Sequence, residues 1–197
     1  MILSNDSIQE ALDKRWLIIK PEPEPRRKSP QCPECPYQTS AVDLRLGSEI
    51  AYFREGLAIN IDLRRGKFAE LFGPNSEKRI ITDNQPYSLG PQKLVLAKTL
   101  ERIELPLPVD GNTPCLAARI EGRSSYARCG LLVHFTAPTI HAGFAGTITL
   151  ELINLGPIPI LLYPNAPICQ LIVEQVHGRP FRNDSQFHGQ CTAGGSS

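Results

Sequence analysis

Two places in this sequence hold residues that can do chemistry together. Gly122-Arg123-Ser124-Ser125 puts a guanidinium and two hydroxyls in a tight turn, and Arg128 follows four residues after Ser124. Backbone N–H groups, hydroxyls and a forked guanidinium together suit the oxygens of an anion such as phosphate. Taken alone, Arg123-Ser124-Ser125 reads equally as an ordinary polar turn. Arg128 shifts the balance, because it stands between Tyr126-Ala127 and an apolar run, where a charge needs a partner. The second place is Glu151, the one acidic residue of the alternating stretch Thr147–Ile153. Strand alternation puts it on the face of Thr149 and Ile153, opposite Leu150 and Leu152. On an outer face it is a solvated carboxylate. In a cleft with Arg128 or a serine it is a general base whose pKa burial would raise. The residues leave both readings open.

Other chemical signals are weaker. Cys32-Pro33-Glu34-Cys35 supplies two metal ligands where a structural zinc site needs four, and Cys115, Cys129, Cys169 and Cys191 are isolated. The zinc nucleobase deaminase signature joins H-x-E to P-C-x-x-C. None of His134, His141, His177 and His188 is followed by x-Glu, so the pair reads as part of a surface loop, with a partial or trimer-borne metal site as the lesser alternative. His134, inside Leu131–Phe135, reads as a satisfied core residue. His141 precedes the turn Ala142-Gly143-Phe144 and can reach the pocket of Glu151. No G-x-S-x-G or GxxxxGK[ST] pattern supports a serine hydrolase or a P-loop.

The elements that must position these residues are mostly strands. Ser4-Asn5-Asp6 with Ile8, Ala11, Leu12 and Trp16 predicts a capped amphipathic helix. A strand at Leu17–Ile19 stops at Pro21, and Pro21–Pro36 predicts an extended, exposed loop. Ala41–Gly47 predicts a strand ending in a turn, Glu49–Phe53 and Leu57–Leu63 continue the β pattern, and Arg64–Asn84 reads as loop or short helix. Tyr87–Pro91 is turn chemistry, Lys93–Leu107 a strand, and short strands recur to Val176. The pattern predicts an all-β barrel or roll. Gly178–Ser197 is polar and reads as a mobile tail that a ligand would order.

At 197 residues, the chain is read as one domain. Hydrophobic residues at 41% and charged ones at 21% are ordinary for a globular protein, and 18 prolines favour a β- and loop-rich fold. A net charge of +1 argues against a polyanion surface, so no DNA or RNA partner is expected and phosphate recognition must be local. No apolar run approaches the roughly 20 residues of a membrane span. The N-terminus shows no export signal, and a cytoplasmic protein with reduced cysteines is expected.

Several of these segments coincide with motifs, and through them the chain resembles the dCTP deaminase branch of the dCTP deaminase/dUTPase superfamily. They are S-x-D-L-R-L-G at Ser40–Gly47, G-R-S-S-x-x-R at Gly122–Arg128, V-H-x-T-A at Val133–Ala137, A-G-F-x-G-x-I-T-L-E at Ala142–Glu151 and I-x-Q-L at Ile168–Leu171. The resemblance implies a mainly β, distorted β-roll of the dUTPase-like type with a short N-terminal helix, assembled as a homotrimer with active sites between subunits. It implies zinc-independent deamination of dCTP to dUTP and ammonia, supplying dUTP for thymidylate synthesis, with Mg2+ carried on the triphosphate. By position, Glu151 would be the general acid/base, and Ser124 and Arg128 would position water and stabilise charge at the ring. Arg123 and Ser125 would hold phosphate, while Thr149 and Leu150 would meet the base through backbone groups. Ala137 and His141 fall among the nucleotide-binding positions. Gln170 and the tail residues Gln186 and Gln190 would close over the nucleotide as a lid spanning 178–197.

Two residues depart from the family pattern. His141 stands where an aspartate faces the deoxyribose 3′-hydroxyl, and where diphosphatases keep a carboxylate for water activation. Gln186 takes the place of a tail lysine, which removes one charge opposite the triphosphate. The alternatives are a dUTP diphosphatase, a bifunctional deaminase–diphosphatase forming dUMP, and a non-catalytic nucleotide-binding trimer. Glu151, and Arg123-Ser124-Ser125 in place of R-S-G, argue against a plain diphosphatase.

Overall fold

The structure, a computed structural model, describes residues 1–62, 64, 68–111, 113–135, 139–178, 180 and 192–193. Ser4 caps helix α1 (Asn5–Asp13), its Oγ accepting the Ser7 N–H at 3.2 Å. Ile8 and Ala11 turn inward, and Trp16 lies past the helix end, packed in part against the core. The amino end is stitched to the far edge of the molecule: Leu3 N–H donates to Val173 O at 2.9 Å and Gln175 N–H to Met1 O at 3.0 Å.

β1 (Ile18–Lys20) leads into the proline-rich segment, which holds a Ser29–Cys32 turn and no helix or strand. It is less exposed than the sequence suggests. Arg26 binds Glu22 at 2.6 Å and Asp13 at 2.7 Å, Gln9 Nε2 donates to Arg26 O, and Pro23 and Cys35 are buried. These bonds fold the loop back against α1.

β2 (Tyr37–Gln38) and β3 (Ala41–Phe53) follow. The two expected strands at Ala41–Gly47 and Glu49–Phe53 are one, and no turn ends it at Gly47. Instead the register shifts between Leu46 and Ile50, and a Cβ on Gly47 would come within 3.0 Å of Lys98 O. Glycine lets two backbones cross there, so β3 passes from one half of the sheet to the other.

Residues 57–62 form no strand, which corrects the β pattern expected over Leu57–Leu63. Among the described residues no neighbouring strand covers their apolar side chains, and Ile59 and Ile61 are exposed. The stretch expected as loop or short helix holds α2 (Phe68–Asn75) and an unforeseen strand, β4 (Ser76–Ile80), paired to β3 from Glu49↔Ile80 to Phe53↔Ser76. Its Glu77-Lys78-Arg79 run suits an exposed edge, where charge discourages further pairing. Tyr87–Leu89, expected as a turn, is strand β5. It pairs with β10 (Ile160–Leu162).

The remaining elements are β6 (Leu94–Glu104), β7 (Leu116–Gly122), α3 (Ser124–Ala127), β8 (Leu131–Val133), β9 (Ala145–Asn154) and β11 (Pro167–Gln175). Among the described residues, nine strands form one antiparallel sheet ordered β7-β11-β3-β6-β9-β8, with β1 on β6 and β2 and β4 on β3. This is the mainly β roll that the sequence predicts. Its core includes Leu44, Leu46, Ile50, Ile103, Leu150, Leu152 and Leu171. Fully buried Glu101 ties β6 to β3: its carboxylate accepts Arg45 N–H at 2.9 Å and Arg45 Nε–H at 2.7 Å. Thr99 donates to Glu101 O and accepts the Ile148 N–H, which holds β9 to β6 where their register shifts.

Candidate active site

β9 alternates strictly between half-buried and buried residues, so Thr147, Thr149, Glu151 and Ile153 share one face while Ile148, Leu150 and Leu152 enter the core. Glu151 is therefore on neither an open surface nor a core face. Its side chain is 32% exposed, yet Oε2 is buried, 3.0 Å from Nδ1 of His134, whose side chain is 8% exposed. The two groups are close but not aligned, and neither atom makes a hydrogen bond. Thr149 Oγ1, two residues along the same face, is also buried without a partner. Buried polar atoms are nearly always bonded, so these three, one of them the carboxylate's own, mark a polar cluster suited to a polar guest.

His134 reaches this cluster through local backbone geometry. Its φ of 54° turns the chain out of β8, and its N–H donates to Glu151 O at 2.9 Å. The β8 ladder, which pairs Leu131–Val133 with Asn154–Leu152, ends at that bond. Beyond it, the β9 edge at Thr149 and Leu150 has no strand partner on that side among the described residues. Leu150 offers only backbone there, because its side chain is fully buried. His134 was expected to be an ordinary core residue. Its side chain is buried although the residue as a whole is half-buried, and the core does not satisfy its ring nitrogen. The signal for it was the V-H-x-T-A motif; its contact with Glu151 spans 17 positions that no local pattern reports.

The second group gathers around the Gly-Arg-Ser-Ser turn, which folds as the single helical turn α3 with Arg123 as its N-cap. Ser124, Ser125 and Arg128 are exposed, and among the described residues Arg128 forms no ion pair. Arg123 is paired with another carboxylate, Asp43. Its Nη2 stands 3.7 Å from Asp43 Oδ2, and its guanidinium lies 5.5 Å from the Tyr126 ring centre. Gln170 on β11 donates to Asp43 Oδ1 at 2.8 Å, so Asp43 joins two of the nucleotide-binding candidates.

Two glycines fix α3 against the strands. Gly130 has φ 92°, and a Cβ there would meet Gly156 N at 2.3 Å; a Cβ on Gly156 would meet Cys129 O at 2.5 Å. Leu155 N–H donates to Gly130 O across this contact. The single chain thus brings Glu151, Thr149 and His134 together, and Arg123 and Gln170 together, while Ser124, Ser125 and Arg128 face solvent. His141 is exposed in the turn before β9, its carbonyl accepting the Phe144 N–H at 3.1 Å. Ala137, Gln186, Gln190 and most of the expected lid lie outside the described residues. Thr192 and Ala193 are described, and Ala193 is buried with its N–H on Glu49 Oε1 at 2.8 Å.

Cys32 and Cys35 are free thiols, and among the described residues no three His, Cys, Asp or Glu side chains gather at metal-binding distance. The surface cavity of about 570 Å3 between the β6–β7 connection and the end of β11 has Met1, Pro108, Cys115 and His177 among its walls, and none of the candidates above.

A family model described as dCTP deaminase-like matches residues 2–176. The chain belongs to that family. It is 38% identical over 172 residues to a dCTP deaminase, dUMP-forming, of Dictyoglomus turgidum, covering 87% of this chain and 78% of the relative. It is 35% identical over 201 residues to a dCTP deaminase of Actinobacillus succinogenes, covering 98% and 95%. In fold it is similar to the crystal structure of a 2′-deoxycytidine 5′-triphosphate deaminase from Agrobacterium tumefaciens, with a TM-score of 0.59 and 18% identity over 89% of this chain and 48% of that one. The family match takes in both the Glu151 cluster and the α3 turn.

Proposed function

We propose that this chain hydrolyses the amidine carbon–nitrogen bond of dCTP, giving dUTP and ammonia. The observation that carries the reading is the cluster of Glu151, His134 and Thr149 with its three unbonded polar atoms. Glu151 takes a proton from water as the oxygen adds to C4 of the cytosine ring, then returns it to the amino group, which leaves as ammonia. Arg128 and Ser124 place the water and stabilise charge at the tetrahedral carbon. Arg123, Ser125 and Gln170 take the phosphate and sugar end, with His141, Ala137, Gln186 and Gln190 closing around it. Thr149 and Leu150 meet the base through the unpaired edge of β9. Magnesium enters on the triphosphate, as part of the substrate.

The exposure of Ser124, Ser125 and Arg128 in the single chain supports a homotrimer in which one subunit's α3 completes the next subunit's site. An apolar row on the face of Glu151 supports it as well. Leu94 and Leu132 are 47% and 38% exposed, and each is the register partner of Ile153. A neighbouring copy would cover them.

A dUMP-forming reaction is the second reading, favoured by the name of the Dictyoglomus turgidum relative. His141, where a carboxylate would activate the second water, speaks for the first. Incubation with dCTP, CTP, dCMP or dUTP plus magnesium separates them, with nucleotides, ammonia and pyrophosphate followed together. Deamination alone yields dUTP and ammonia from dCTP. Appearance of dUMP with pyrophosphate establishes the second reading, and no turnover of any of the four would leave a nucleotide-binding trimer.

A further inference from the structure

Asp43 has no role in the chemistry above, yet the groups assigned to the phosphate end converge on it. It is 7% exposed and lies in β3 between Val42 and Leu44, both fully buried. Gln170 Nε2 from β11 donates to its Oδ1 at 2.8 Å. Gln38 Nε2 from β2 donates to its Oδ2 at 3.4 Å, and Arg123 Nη2 from the cap of α3 stands 3.7 Å from the same oxygen. We infer that Asp43 is a positioning residue that sets the Arg123 guanidinium and the Gln170 amide before nucleotide arrives. The inference rests on the proposed nucleotide site.

The chemistry of an ionised carboxylate makes this specific. It only accepts hydrogen bonds, so it fixes which way each amide is turned: Nε2 of Gln170 points to Asp43, and Oε1 points away as an acceptor for a donor on the ligand. The Arg123 contact is a charge pair rather than a hydrogen bond, which leaves the N–H fork free to close on phosphate oxygens. The Tyr126 ring restrains the guanidinium from another side. A rival carboxylate is nearby, because Asp43, Gln170 and Glu121 are register partners across β3, β11 and β7. Glu121 is exposed and stands 3.6 Å from Arg119, which leaves Asp43 as the anion paired with Arg123. Gln38 also donates to Cys35 O at 3.0 Å, so the proline-rich segment braces the hub from behind.

The test is a mutant cycle read in KM and kcat for dCTP. Asp43→Asn keeps the shape and removes the charge; it should raise KM about tenfold or more, with kcat changed less than about threefold. In a background carrying both Arg123→Ala and Gln170→Ala the same substitution should change KM less than about twofold, because the two groups it positions are gone. A purely structural Asp43 would lower the melting temperature and give the same fold-loss in both backgrounds. That additive result overturns the inference, as does an Asp43→Asn KM within about twofold of the unmodified protein. Should Asp43→Asn fail to fold, the cycle is run with Gln38→Ala, expected to raise KM about threefold only when Arg123 and Gln170 are present; additivity again overturns it. Turnover of dCTP by the unmodified protein tests the proposed function separately. If there is none, the cycle is read in the dissociation constant for dCTP, with the same decisive outcomes.

Discussion

At Glu151 the chain leaves a carboxylate oxygen buried 3.0 Å from an imidazole nitrogen without completing the bond between them. A carboxylate set beside an imidazole in this way is suited to proton transfer. Glu151→Gln keeps the volume and removes the base. Ammonia release from dCTP should fall at least about a thousandfold, while the dissociation constant for dCTP shifts less than about threefold. Retained turnover would remove Glu151 from the mechanism. His134 acts on the same oxygen, and its left-handed backbone suits asparagine among the alternatives. His134→Asn should therefore fold, lower kcat about tenfold and leave KM near its original value. A loss confined to KM would show that the ring serves binding and does not orient the carboxylate.

Among the elements, α3 and the β9–β10 connection behave as one piece because Gly130 and Gly156 meet backbone to backbone. Gly130→Ala places a Cβ in a left-handed residue and against Gly156 N. A cost of at least about 2 kcal/mol is expected, lowering the melting temperature by roughly 4–8 °C. Arg128 lies two residues away, so kcat should fall with it; a variant of unchanged melting temperature would contradict the close approach. Here too the reach of sequence reasoning is visible. Thr149, Glu151 and Ile153 against Leu150 and Leu152 announce β9 and its two faces, and Ser4 announces α1, because both patterns are local and periodic. Glu77-Lys78-Arg79 hides β4, since an edge strand needs no apolar face. The run over Leu57–Leu63 shows the opposite error: its described part, 57–62, meets no strand to pair with among the described residues. His134 and Asp43 escaped as site residues because their importance comes from partners far away in sequence, brought near only when the roll closes.

For the whole molecule, the proposed trimer and the tail carry the remaining predictions. Sedimentation should find about three times the 21.8 kDa chain mass. Leu132→Asp puts a charge in the apolar row beside Ile153, and should shift the population toward monomer and lose at least about tenfold in activity with it. A variant still trimeric and fully active would place the subunit contact elsewhere. The tail returns to the roll at Ala193, which packs with Ala51, Phe72 and Leu96; Leu96 is the register partner of Glu151. Removing everything after Pro180 should raise KM for dCTP about tenfold while assembly and folding persist, and an unchanged KM would contradict a lid.

The Gly130–Gly156 contact also bears on how such a chain can be altered by recombination. A crossover that takes the α3 turn from one parent and the β9–β10 loop from another joins two halves of a single steric lock. If the incoming loop lacks glycine at 156, its Cβ would meet the Cys129 carbonyl at 2.5 Å, right beside Arg128. A breakpoint between 130 and 156 is therefore tolerable where both parents carry glycine at these two positions, and costly where either lacks it.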